Sequence, residues 1–126
     1  MPDFSPDLRG LSVLVAEDTV LLADLITEEL QEKGCHVIGP VARVDQGVAL
    51  AEPEALDGAL LDVNLAGERC FPIADALAAR RIPFAFLTGY GEEALPPLHR
   101  GVPRLAKPFY LRDMVSLIGR WSKHPG

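Results

Sequence analysis

The sequence predicts an α/β fold, a doubly wound, five-stranded parallel sheet with helices on both faces. Two observations carry this expectation. Short apolar runs alternate with stretches of helical periodicity five times along the chain, and right-handed crossovers leave few other ways to pack such units. The runs are apolar throughout rather than alternating, as in Gly58-Ala59-Leu60-Leu61-Asp62, which marks strands buried on both faces.

In order, residues 1–10 hold two Pro, two Asp and a Gly, and are expected to form a flexible arm. Leu11 to Ala16 is the first strand and ends in the acidic pair Glu17-Asp18. The first helix is expected from about Thr19 to Lys33, with Leu22, Leu25, Ile26 and Leu30 on its inner face and Gly34 as its stop. His36 to Val41 reads as the second strand. A second helix over Asp45 to Ala51 turns Val48 and Ala51 inward. Leu56 to Asp62 is the third strand, and a Gly67-Glu68-Arg69 loop leads into an Ala-rich third helix over Phe71 to Arg80. Pro83 to Thr88 is the fourth strand. Pro96-Pro97 breaks the segment Gly91 to Arg100, so the fourth helix is expected to be short or disordered. Val102 to Ala106 is a short fifth strand, placed at the sheet edge because Pro103 lacks a ladder donor. The stripe Leu111, Met114, Val115, Ile118 and Trp121 defines the fifth helix. Residues 11–121 form the domain, and 122–126 a tail.

Composition narrows the function. At 126 residues the chain buries roughly two thirds of the surface its unfolded form exposes, enough to fold without metal or disulfide. Cys35 and Cys70 fit neither a disulfide framework nor a zinc spacing and read as reduced side chains in a cytoplasmic protein. There is no basic and apolar leader and no run of membrane-spanning length. A net charge of −6 with only twelve Lys and Arg argues against a nucleic-acid partner.

The chemistry lies at strand ends. A charge is too costly inside a doubly buried strand, so Asp62 must emerge at the carboxyl edge, where open parallel sheets bind ligands. Glu17, Asp18, Thr88 and Lys107 end other strands and converge on the same edge. Taken singly, each has a plainer explanation: a helix start for Glu17-Asp18, a turn for Thr88-Gly89, a loop for Lys107-Pro108. Their joint occurrence is what the plainer explanations do not supply. Three crowded carboxylates call for a proton or a cation, and oxygen ligands that include the backbone carbonyl of Asn64 suit Mg2+. Lys107 and Thr88 are the charge and donor needed to stabilise a transferring phosphoryl group, with Asp62 as nucleophile.

Together, the acidic pair, Leu60-Leu61-Asp62, Thr88 and Lys107-Pro108-Phe109 resemble a response-regulator receiver domain of two-component signalling, over about Leu11 to Trp121. The resemblance implies a flavodoxin-like strand order 2-1-3-4-5. It implies a phosphoacceptor Asp62 served by a sensor histidine kinase, with Mg2+ held by Glu17, Asp18, Asp62 and the Asn64 carbonyl. It also implies Thr88 and Lys107 on the phosphoryl group and a cis peptide before Pro108. Such a domain catalyses only its own phosphorylation and dephosphorylation. Pro83-Phe84-Ala85-Phe86-Leu87-Thr88-Gly89-Tyr90 further resembles the FATGUY subfamily, often stand-alone and paired with kinases of the HWE or related class, although Leu87 replaces its usual Ala. Most receivers carry an aromatic switch residue three positions before the Lys, where this chain has Arg104. A charged guanidinium resists the burial such a switch needs, so the reporters expected are Thr88 and Tyr90, through ordering of the segment Gly91 to Arg100.

Two other classes fit part of the pattern. A haloacid-dehalogenase-like phosphatase also uses a strand-end Asp, Mg2+, Thr and Lys, but Asn64 stands where it needs a second carboxylate, and its nucleophile lies on the first strand. A receiver-like docking module that is never phosphorylated would lack an acid or the Lys, and none is lacking. With no output domain expected after Gly126, the chain is expected to act on a downstream protein, to relay phosphate to a histidine phosphotransfer protein, or to drain it from a kinase. His36, His99 and His124 read as core or solvent histidines.

Overall fold

The computed structural model describes residues 7–89 and 95–121. In chain order the elements are β1 (Ser12–Ala16), α1 (Val20–Glu32), β2 (His36–Val41), α2 (Val44–Ala51), β3 (Gly58–Asp62), β4 (Asn64–Leu65), β5 (Glu68–Arg69), α3 (Phe71–Ala79), β6 (Phe84–Thr88), β7 (Arg104–Ala106) and α4 (Leu111–Ile118). Five strands form one parallel sheet in the order β2-β1-β3-β6-β7. This is the expected 2-1-3-4-5 order.

The alternation of side chains along each strand divides the core into two layers. Leu14 and Ala16 of β1, Ala59 and Leu61 of β3, and Phe84 and Phe86 of β6 face α2 and α3. Val13, Val15, Leu60, Ala85 and Leu87 face α1 and α4 instead. Every residue of β3 and β6 is buried, and each large apolar side chain so placed contributes about 1.5–3 kcal/mol. β7 is an edge strand, as is β2 at the other side. Pro103, just before it, supplies only its carbonyl, which accepts the Phe86 amide at 3.0 Å.

Four expectations need correction. The arm is not loose throughout: Leu8 is fully buried, its amide reaches the Lys33 carbonyl at 3.3 Å, and Leu11 N–H closes on its carbonyl at 3.1 Å. One apolar side chain among polar neighbours is enough to anchor it. In α1 the inner stripe is Ala23, Ile26 and Leu30, whereas Leu25 is 43% exposed; the helix is rotated so that the small Ala23 seats it close to the sheet. The loop before α3 is a two-stranded hairpin, β4 paired with β5, turning through Ala66 (φ 51°) and Gly67 (φ 87°). Left-handed conformation at both central residues is what a two-residue hairpin of this twist requires, and it costs about 1–2 kcal/mol at Ala66. Lastly, the last helix stops at Ile118, short of Trp121.

Of the segment Gly91 to Arg100, residues 95–100 are described, and they hold one 3-10 turn, Pro97–His99. This part is packed rather than loose. Leu95 and His99 are buried, and His99 lies 5.7–6.2 Å from the rings of Phe71, Phe84 and Phe86 with Nε2 2.8 Å from Asp75 Oδ1. Tyr90 and residues 91–94 fall outside the described residues.

Both cysteines are buried, and burial pushes the Cys35 thiol up to about 11 and that of Cys70 up to about 12. They are inert thiols at neutral pH. Among the described residues, no helix is long and apolar enough to cross a membrane.

Gly58, the first residue of β3, lies against the ring of Trp121, and a Cβ there would run into it. Four strand steps separate Gly58 from Asp62, about 13 Å at 3.3 Å each, so Trp121 closes the end of the sheet away from Asp62. Gly58→Ala should cost about 1–3 kcal/mol through overpacking and shift Trp121 emission to the red. Urea unfolding followed by fluorescence checks both, and an unchanged midpoint and spectrum would contradict the packing.

Candidate functional site

The carboxyl ends of β1, β3, β6 and β7 bring five of the sequence-identified residues to one edge. Glu17 follows β1 directly, and its amide donates to the Val41 carbonyl at 2.9 Å. Asp62 is the last residue of β3. Thr88 ends β6 and is buried. Lys107 follows β7, where its amide donates to the Thr88 carbonyl at 2.9 Å, so strand pairing fixes its position. The Lys107–Pro108 peptide bond is cis, as is Gly39–Pro40.

Lys107 Nζ donates to Glu17 Oε1 at 2.7 Å and to Asp62 Oδ2 at 2.8 Å. The remaining carboxylate oxygens take backbone donors: Glu17 Oε2 from Thr19 N–H at 2.9 Å, Asp62 Oδ1 from Asn64 N–H at 3.2 Å, and Asp18 Oδ2 from Ala66 N–H at 2.9 Å. These three amides escape residue-type reasoning, because every residue but proline has one. The one sequence feature near any of them is Gly67, in the loop expected before α3. Asn64 was expected to contribute its carbonyl; in the structure its amide holds Asp62. Arg104 is half-buried in the edge strand, its Cα paired with that of Phe86.

Glu17 and Asp62 are buried while Asp18 is exposed, and one oxygen from each lies within 4.8 Å of the others. Burial raises the Glu17 pKa; Lys107 and the Thr19 amide oppose this, and the Asp62 charge adds to it. Burial would push the Lys107 ammonium down, but hydrogen bonds to Asp62 and Glu17 outweigh it and its pKa is raised. Three acids against one lysine leave negative charge in excess. Hard oxygen donors at this spacing suit a small divalent cation.

Removing the lysine tests this balance. A carboxyl whose folded pKa lies above its ordinary 4.5, as for Glu17, favours the fold while protonated and loses that contribution as pH climbs through the raised value. Lys107→Ala should therefore cost about 3 kcal/mol near pH 7, where Glu17 and Asp62 face each other uncompensated, and less near pH 4. Urea denaturation at the two pH values measures it. Equal losses at both would mean that charge is not what Lys107 contributes.

No protein-family model matches the chain. The transcriptional regulatory protein PdtaR of Mycobacterium tuberculosis is 30% identical over 110 residues, covering 84% of this chain and 54% of that protein; the chain thus spans about half the length of the curated relatives it matches. The solution structure of SdrG from Sphingomonas melonis Fr1 is 36% identical with a TM-score of 0.75, covering 86% of this chain and 94% of that one. The receiver domain of the sensor histidine kinase PA1611 from Pseudomonas aeruginosa PAO1, with a magnesium ion coordinated in its active-site cleft, is 28% identical with a TM-score of 0.73, covering 89% of this chain and 97% of that one. Strand order, site placement and these likenesses agree, and the chain belongs to the response-regulator receiver (CheY-like) domain family of two-component signalling.

Proposed function

We propose that Asp62 accepts a phosphoryl group from a sensor histidine kinase of the HWE or related class, or from a histidine phosphotransfer protein. The domain then signals by binding a downstream protein, by relaying the group, or by draining it from a shared kinase. The observation that carries this reading is the Lys107 ammonium shared between Glu17 and Asp62 at the carboxyl edge of the sheet, with Asp18 beside them. An oxygen of Asp62 attacks phosphorus, forming the acyl phosphate O–P bond while the P–N bond of the donor phosphohistidine breaks and its electron pair returns to the imidazole. Lys107 is near enough to follow the charge from the carboxylate to the phosphoryl oxygens, and the Thr88 hydroxyl donates to one of them. Glu17, Asp18, Asp62 and the Asn64 carbonyl would hold Mg2+, which supplies positive charge against the phosphoryl oxygens.

Several finer assignments belong to this reading. They are membership of the FATGUY-like subfamily, a receiver unit over residues 11–121 and, as reporters of phosphorylation, Thr88 and Tyr90, with Arg104 occupying the position of the usual aromatic switch. The phosphatase alternative loses ground, because Asp62 stands on the third strand in chain order rather than the first.

Incubation with acetyl phosphate or a phosphorylated kinase and Mg2+ should add one phosphoryl group by intact mass, absent in Asp62→Asn. Labelling retained in that variant would overturn the assignment.

A further inference from the structure

We infer that the backbone amide of Ala66, at the tip of the β4–β5 hairpin, is a positioning group for Asp18 and sets how tightly the acidic cluster holds a divalent cation. This rests on the proposed reading that Glu17, Asp18 and Asp62 bind Mg2+.

Asp18 differs from the other two acids. Glu17 and Asp62 are buried and share Lys107. Asp18 is exposed and lies outside the strands. Left to itself, an exposed aspartate samples several rotamers, and only some would turn an oxygen toward the cluster. The Ala66 amide, 48 residues away in the chain, donates to Oδ2 at 2.9 Å. A carboxylate has lone pairs to spare on both oxygens, so this contact fixes the side chain while leaving Oδ1 for a cation.

The hairpin is built to deliver that amide. At its base, Asn64 N–H holds Asp62 Oδ1 at 3.2 Å and Cys70 N–H closes on the Val63 carbonyl at 2.9 Å. Asn64 pairs with Arg69 and Leu65 with Glu68. Leu65 is fully buried and pins the first strand into the core. At its tip, Ala66 takes the φ of 51° that the two-residue turn requires, and this orientation leaves its amide free of the hairpin ladder for Asp18. The hairpin thus aims two amides at two different acids, Asn64 at its base at Asp62 and Ala66 at its tip at Asp18.

The test changes one atom group in the full chain. L-lactate in place of Ala66 keeps the methyl group and replaces the N–H by an ester oxygen. Isothermal titration with Mg2+ should show about tenfold weaker binding, the scale of one charge-assisted hydrogen bond. Ala66→Gly, which keeps the N–H and accepts a positive φ, should restore wild-type affinity. An ester variant that melts lower without metal yet binds Mg2+ as tightly as wild type would show a purely structural hairpin and overturn the inference. A wild type that binds no Mg2+ would overturn the cation reading and this inference together. Should the ester variant fail to fold, amide NMR of the metal-free protein decides: hydrogen exchange at Ala66 should accelerate in Asp18→Ala, and unchanged protection would refute the contact.

Discussion

The arrangement depends on one ammonium standing between two buried carboxylates. The Glu17 side chain is wholly inaccessible and that of Asp62 is 10% exposed, so neither is hydrated well enough to tolerate the other's charge. Moving such ions out of water costs several kcal/mol each, and the attraction to Lys107 offsets this only because its geometry is close and the other oxygens receive backbone donors. The strand order follows the same requirement. β1, β3, β6 and β7 must all be parallel for their carboxyl ends to meet, and β7 must be in register with β6 for Lys107 to reach across β6 to Asp62. An error of one residue in that pairing would turn the lysine to the other face.

The sheet is consequently asymmetric along its strands. At the end away from the site, Gly58 admits the Trp121 ring and Asp57 accepts the Ser12 amide at 2.8 Å, so that end is closed by close packing and a satisfied acid. The opposite end keeps its charges only partly matched. Functional sites commonly hold such unfavourable charge, and it is the two apolar layers that carry the stability. A site left with excess negative charge attracts small cations, because a cation is the cheapest way to relieve it.

Much of this was readable from the residues. The five strands follow from apolar runs between periodic segments and their order from the resemblance to receiver domains, and the acids, Thr88 and Lys107 announce themselves because charge at the end of a buried strand has few explanations. What could not be read falls into two kinds. Backbone donors carry no residue signature, so the amides of Thr19, Asn64 and Ala66 became visible only with the chain path. Packing choices between similar apolar residues are also silent: Leu8 anchors a polar arm, Ala23 rather than Leu25 seats α1, and His99, in a proline-rich stretch, enters a nest of phenylalanines. Each is decided by neighbours distant in sequence, which local periodicity does not contain.

His99 bears on how the site communicates with the rest of the domain. It fixes the connection between β6 and β7 at one point, through Asp75 on α3 and the rings of Phe71, Phe84 and Phe86. The ladder fixes it at another, because Lys107 N–H is bound to the Thr88 carbonyl and Phe86 N–H to that of Pro103. Thr88 and Lys107 are therefore not independent groups reaching toward Asp62 from separate loops. They are joined by a backbone hydrogen bond, and a shift of one along the sheet edge carries the other with it. Pro97–His99 is packed against α3 at one end of this connection, and β7, the three-residue strand that holds Arg104, lies at the other.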